Sequence, residues 1–202
     1  MDRSGEVIEN PSSGRRLASC ETAKERRYYH PIQKDYATFL ETSEETGGEY
    51  TLIEVAVAPG GGNAPHYHLT YDEHFEVLEG ELEVLLGKET RVLRTGEKAV
   101  AKKNTLHRFR NTTQERTRFL VRLRPGHVGF EKAIKVAYSL ASDGRVRSDG
   151  TPRNLYQLAV LLEWSDIRFP GVLTLAEPLF RLLARRARRK GVDRELEARY
   201  LR

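Results

Sequence analysis

Three imidazoles and one carboxylate are the side chains whose types and spacing could do chemistry. His66 and His68 lie two residues apart in a short extended run, so both rings point to one face. Glu73 follows five residues later and opens the next run, sharing a face with Phe75 and Val77. His107 begins another strand and pairs with an apolar residue two along, Phe109. Nitrogen and oxygen ligands without a thiolate suit one divalent transition metal, Fe(II), Mn(II), Ni(II), Zn(II) or Cu(II), and disfavour an Fe–S cluster. His30, His74 and His127 read as bystanders: His74 is on the opposite face from Glu73, His30 precedes Pro31 and His127 follows Pro125-Gly126. No Ser-His-Asp order, Gly-rich phosphate loop or carboxylate pair competes with this set. Spacing alone leaves two readings open, a metal site and ordinary buried histidines.

The elements that must carry these groups are short strands. From Tyr28 to Pro125 the runs are 37–42, 49–57, 66–69, 73–79, 81–86, 91–93, 98–101, 106–111 and 118–124, separated by turn signals such as Pro59-Gly60-Gly61-Gly62-Asn63, the pattern of a sandwich or barrel. In the last run Phe119, Val121 and Leu123 alternate with Arg118, Arg122 and Arg124, as a half-buried strand requires. The same parity turns Phe75, Val77, Leu82, Val84, Phe109, Phe119 and Val121 inward, most of them simply filling a barrel. After Pro125-Gly126 the period becomes helical, over 130–140, 155–164, 175–190 and 193–201. Thr151-Pro152 reads as a helix start. Pro178 moves the start of the third helix to its own neighbourhood, and Gly191 stops it.

The residues around the imidazoles carry a resemblance. Gly60, five residues, His66-x-His68, four residues, Glu73, six residues and Gly80 match in full the first signature of the cupin family. Gly96, five residues, Lys102-x-Asn104, two residues, His107, three residues and Asn111 resemble the second, with Lys102 where the family usually has Pro and Asn104 where it has Gly. Asn tolerates positive φ, so a tight turn at Asn104 is feasible. The resemblance covers about residues 45 to 125. It implies a mainly β chain built on a double-stranded β-helix or jelly-roll barrel, placed at 28–127, whereas the polar arm before it (1–27) and the helical extension after it (128–202) are read from composition and period alone. It also implies that His66, His68, Glu73 and His107 ligate the metal, leaving two positions open on a six-coordinate ion. Tyr71, beside the ligands, is the candidate to donate a hydrogen bond to a bound small molecule. Tyr67 should point away by alternation.

Composition narrows the partners. Of 202 residues 39% are hydrophobic and 31% charged, which fits a globular protein rather than a disordered one. The net charge of +5 is unevenly spread. Residues 181–202 hold nine basic and three acidic side chains, a net of +6, so the first 180, with 25 basic and 26 acidic, stand at −1. A near-neutral body argues against a nucleic-acid-binding core, and any electrostatic partner belongs at the basic end. There, an amphipathic helix either packs its apolar stripe inward or lies on an anionic membrane surface through 175–202. The single Cys20 excludes an intramolecular disulfide. Leu17-Ala18-Ser19-Cys20 resembles a lipoprotein cleavage box but lacks an apolar run before it, so the expected location is cytoplasmic. Barrel edges and apolar helices point to a homodimer. Two functions follow: a metal-dependent enzyme of oxygenase, isomerase or decarboxylase type acting on a small organic molecule, or a non-catalytic binding module docked by its tail.

Overall fold

The computed structural model describes residues 26–201, so most of the expected polar arm, Cys20 included, lies outside the described residues. Nine strands form two antiparallel sheets. The larger has the order β1-β2-β3-β9-β4-β7, from β1 (Arg27–His30), β2 (Asp35–Glu41), β3 (Thr51–Val57), β9 (Thr117–Arg124), β4 (Asp72–Glu79) and β7 (Lys98–Ala101). The smaller has the order β6-β5-β8, from β6 (Glu89–Arg94), β5 (Glu81–Leu86) and β8 (His107–Arg110). This is the double-stranded β-helix expected. The seven inward residues predicted by parity are all buried, with Leu82, Val84 and Phe119 at 0% exposure. Strand β1 was not among the expected runs. It pairs along its whole length with β2, from Arg27 opposite Thr38 to His30 opposite Asp35.

The run expected as a strand over 66–69 is not one. His66 makes a single bridge to His107 on one side, and Tyr67 makes a single bridge to Arg168 on the other. Its partners change side from one residue to the next, so the segment is extended without belonging to a ladder. Upstream, Gly62 bridges Arg110, and a Cβ there would collide with the Phe109 carbonyl, which is why the turn needs glycine.

The helices are α1 (Val128–Ser142), α2 (Leu155–Ser165), α3 (Val172–Leu175), α4 (Glu177–Arg189) and α5 (Val192–Tyr200). The expected start of α2 at Thr151-Pro152 is corrected. The cap is Asn154, whose side chain accepts from the Tyr156 and Gln157 amides. The Thr151 hydroxyl is spent on Asp149 at 2.7 Å, and Pro152 sits in a bridge with Val146. Pro178 does lie in the first turn of α4, and Gly191 follows that helix in the left-handed region with φ 75°.

Helix α1 joins two cores. One face packs Phe130, Ile134 and Tyr138 against the barrel. The other packs Ala133, Val136, Leu140 and Ala141 against Val160 and Leu161 of α2, Ala187 of α4 and Leu196 of α5. His127 caps α1 by accepting from the Phe130 amide at 2.9 Å. Glu131, buried in its first turn, accepts from the Ser43 amide at 2.6 Å and the Thr51 hydroxyl at 2.5 Å, which ties the helix to the sheet. Among the described residues no helix is long and apolar enough to cross a membrane.

Candidate metal centre

Strand β4 presents Glu73 from the larger sheet, β8 presents His107 from the smaller, and the extended segment between them supplies His66 and His68. All four side chains are buried, and one ligand atom from each lies within 4.8 Å of the others. The ring centroids of His66 and His107 are 4.4 Å apart, those of His66 and His68 4.8 Å. The sequence-predicted set is thus brought together in full.

Hydrogen bonds decide which nitrogen of each ring is free. His66 Nδ1 is 2.8 Å from the Ala64 carbonyl and His107 Nδ1 2.9 Å from the Thr105 carbonyl. A carbonyl only accepts, so both Nδ1 atoms carry the proton. His68 Nδ1 is 2.7 Å from the Tyr71 hydroxyl, which itself donates to the Ser165 carbonyl at 2.8 Å. The hydroxyl proton being spent on Ser165, His68 Nδ1 must donate to the Tyr71 oxygen. In the neutral form each of the three rings therefore turns a bare Nε2 inward.

That arrangement asks for a cation. His68 Nε2 stands 3.1 Å from one Glu73 oxygen and His107 Nε2 3.3 Å from the other, yet neither buried nitrogen has a hydrogen-bond partner. Lone pairs facing carboxylate oxygens repel unless a positive charge sits among them. Burial pulls the His66 imidazole down to about 3, with His107 and His68 adding to the effect. Burial would raise the Glu73 carboxyl, but His107 beside it holds it well below the usual carboxylate range. Burial also works against protonated His107, and the Glu73 charge outweighs it, so that ring is raised. A deprotonated carboxylate and three oriented imidazoles fit one divalent ion.

Tyr71 has a different place from the one expected. Its ring stacks on His68 at 4.3 Å, and its hydroxyl is committed to His68 and Ser165, so it fixes the His68 ring and is not free for a bound molecule. Burial, with Glu73 nearby, raises its pKa well above the ordinary phenol value, and it stays protonated. Asn104 adopts φ 64°, as its place in the second signature requires, and its amide donates to the His68 carbonyl at 2.6 Å. Where the family's usual proline is absent, Asp72 stiffens the turn by accepting from Lys102 at 2.9 Å and from the Lys103 amide at 2.8 Å.

Sequence reasoning missed the helical contribution. Asp166, just after α2, accepts from the Leu69 amide at 2.8 Å and from the Thr70 amide and hydroxyl at 3.0 and 2.8 Å. With Ser165 and the Tyr67–Arg168 bridge, it clamps the loop that carries His68. No local pattern marks these residues. Beside the four ligands, a cavity of about 160 Å³ opens against His66 and Glu73, walled by Ile53, Val55, Phe109 and Val121 among others.

The family described as Cupin domain matches residues 53–122, from within β3 to within β9. Protein SchB of Streptomyces halstedii is 34% identical over 106 residues, covering 48% of this chain and 77% of that protein. The chain belongs to the cupin family. Solved structures to which the chain is similar include KdgF from Halomonas sp. (20% identity, 52% of this chain and 91% of that one, TM-score 0.46). The polyketide cyclase RemF from Streptomyces resistomycificus is another (25%, 45% and 65%, TM-score 0.41). The part of this cupin outside the matched family range includes all five helices.

Proposed function

We propose that this cupin holds one divalent transition metal through His66, His68, Glu73 and His107 and acts on a small organic molecule in the cavity beside them. The observation that carries the reading is the set of three imidazoles gathered with one buried carboxylate, ligand atoms within 4.8 Å of one another, with the unpartnered His68 and His107 Nε2 atoms facing Glu73. When bound, such an ion supplies Lewis acidity or activates water, chemistry that suits reactions of isomerase, decarboxylase or oxygenase type. The chain's own groups define the rest. His66 and Glu73 line the cavity, so a molecule bound there meets the ligand cluster on their side. Val55, Phe109 and Val121 exclude water from it, and the Tyr71 hydroxyl keeps His68 in register.

Metal analysis of protein purified without added metal tests this. We expect close to one equivalent of a transition metal per chain, and a melting temperature that drops when a chelator removes it. His66→Ala/His107→Ala should empty the site. A parent protein with less than about a tenth of an equivalent, unchanged in that variant, would refute the reading.

A second reading concerns the basic end. Ala184 and Ala187 of α4 are fully buried, yet Leu175, Leu179 and Leu182 are 82%, 56% and 45% exposed, with Arg185, Arg186 and Arg189 also exposed. Leucines and arginines together suit an anionic membrane surface. Because truncation would strip Ala187 from the helical core, Leu179→Ser/Leu182→Ser is the better probe. It should lower co-sedimentation with phosphatidylserine vesicles. Equal binding to neutral vesicles, or none by the parent, refutes the idea.

A further inference from the structure

The cavity at the metal face does not end there. It abuts a second cavity of about 440 Å³ between the barrel and α1–α2, which abuts a third of about 400 Å³ between α2 and α4. Ile167 and Phe169 line all three, and Leu158 and Leu162 line the outer two. The inner chamber reaches His66 and Glu73, and the outer one opens beside Phe180 and Arg181. These shared walls set the three cavities side by side, from the His66–Glu73 face to the helical extension.

The walls say what fits. Helix α2 is apolar on nearly every side: Val160 and Leu161 pack in the helical core, while Leu158 and Leu162, one turn apart, stay half-buried along the cavities. As cavity lining, these two half-buried leucines offer apolar contact area to a ligand. The charges at the outer end are already engaged. Arg168 faces Asp166 at 3.3 Å and Glu177 at 3.6 Å, Arg181 faces Glu177 at 3.1 Å, and Glu163 faces Arg188 at 2.5 Å. Arg168 Nε is nevertheless buried without a hydrogen-bond partner, and Arg147 and Asp149 also line the outer chamber, so its rim is polar while its floor is apolar.

We propose that these adjoining cavities bind a drug-sized, elongated and mainly apolar molecule, which lies under Phe169 and presents an oxygen-bearing end to the His66–Glu73 face. The role of that inner end rests on the metal reading above; the cavities themselves do not. The occupant is a small molecule and not a protein or membrane segment, because the smallest of the three cavities is the one at the ligand cluster.

The test is a fluorescence titration of the full chain with Nile red, an uncharged dye that brightens and shifts to the blue in apolar sites, before and after removal of metal. One saturable site per chain is expected in both forms. Leu158→Trp and Leu162→Trp, which fill the outer cavities, should each weaken it about tenfold or more while keeping parental helical content and metal content. Leu179→Ser, on the outer face of α4, should leave it unchanged and so exclude dye bound to exposed leucines. The proposal is overturned by the lack of a saturable site, by unaltered affinity in both Trp variants, or by loss in Leu179→Ser. It is also overturned by binding that falls as protein concentration rises, since a second copy then covers the mouth. Dye binding in a parent protein that retains no metal would instead refute the metal reading and still support binding in the cavities.

Discussion

Tyr71 accepts from one ligand ring, donates to a helix carbonyl and stacks on the same ring, all within a site it never enters. Tyr71→Phe keeps the stacking and deletes the bridge, leaving His68 free to rotate or change tautomer. Metal affinity should fall about 10- to 100-fold, read by competition with a chelating dye. Parental affinity in that variant would show that the hydroxyl does not orient His68. A second buried pair sets the pH response. Asp35, fully buried with only Tyr138 donating to it at 2.9 Å, is pushed up to about 7 by burial. The folded chain then keeps that proton where the unfolded chain loses it, so stability is full below the ordinary carboxylate value of 3.8 and is lost as pH rises towards 7, by about 4 kcal/mol. Burial lowers neighbouring His30 to about 4, and its contribution runs the other way, full above 6.5 and lost as pH falls. Asp35→Asn removes the first dependence alone. In urea melts it should be more stable than the parent at pH 8, lose that advantage by pH 4, and show the acid loss due to His30. A difference from the parent that does not change with pH would refute the assignment.

At the scale of elements, the C-terminal end of α2 does more for the site than its distance along the chain suggests. Asp166 holds φ 55°, a left-handed conformation that Asp tolerates, and its carboxylate accepts three hydrogen bonds from Leu69 and Thr70. Asp166→Ala should cost about 1–3 kcal/mol and weaken metal binding, whereas Asp166→Asn keeps an acceptor and loses less. A melt and a metal titration of both variants check this, and an alanine variant equal to the parent in each would refute the clamp. The same elements show where one-dimensional reading stops. The alternation of β9 was readable because it reports a local two-residue period. The 66–69 segment has that look too, but its bridges go to β8 and to Arg168, and only contact with both decides that no ladder forms. Thr151 and Asn154 are both good caps by type. Asp149 and Val146 settle the choice by engaging the Thr151-Pro152 pair.

At the scale of the molecule, the strands, their inward residues and the positions of three imidazoles and one carboxylate were readable from residue type and short-range period, which a single chain carries in order. The grouping of those four into one site, and the jelly-roll form of the barrel, came from the spacing that resembles the cupin signatures. The sequence also placed the excess positive charge at one end. Only the tertiary structure decided that the helices are part of the site. Ser165 meets Tyr71 across 94 residues and Asp166 meets Leu69 across 97. It likewise decided that the Tyr71 hydroxyl bridges His68 and Ser165, and that cavities sharing Ile167 and Phe169 lie between the helices and the His66–Glu73 face. Contacts between distant segments leave no periodic trace, because they depend on how packed faces meet once both cores have formed.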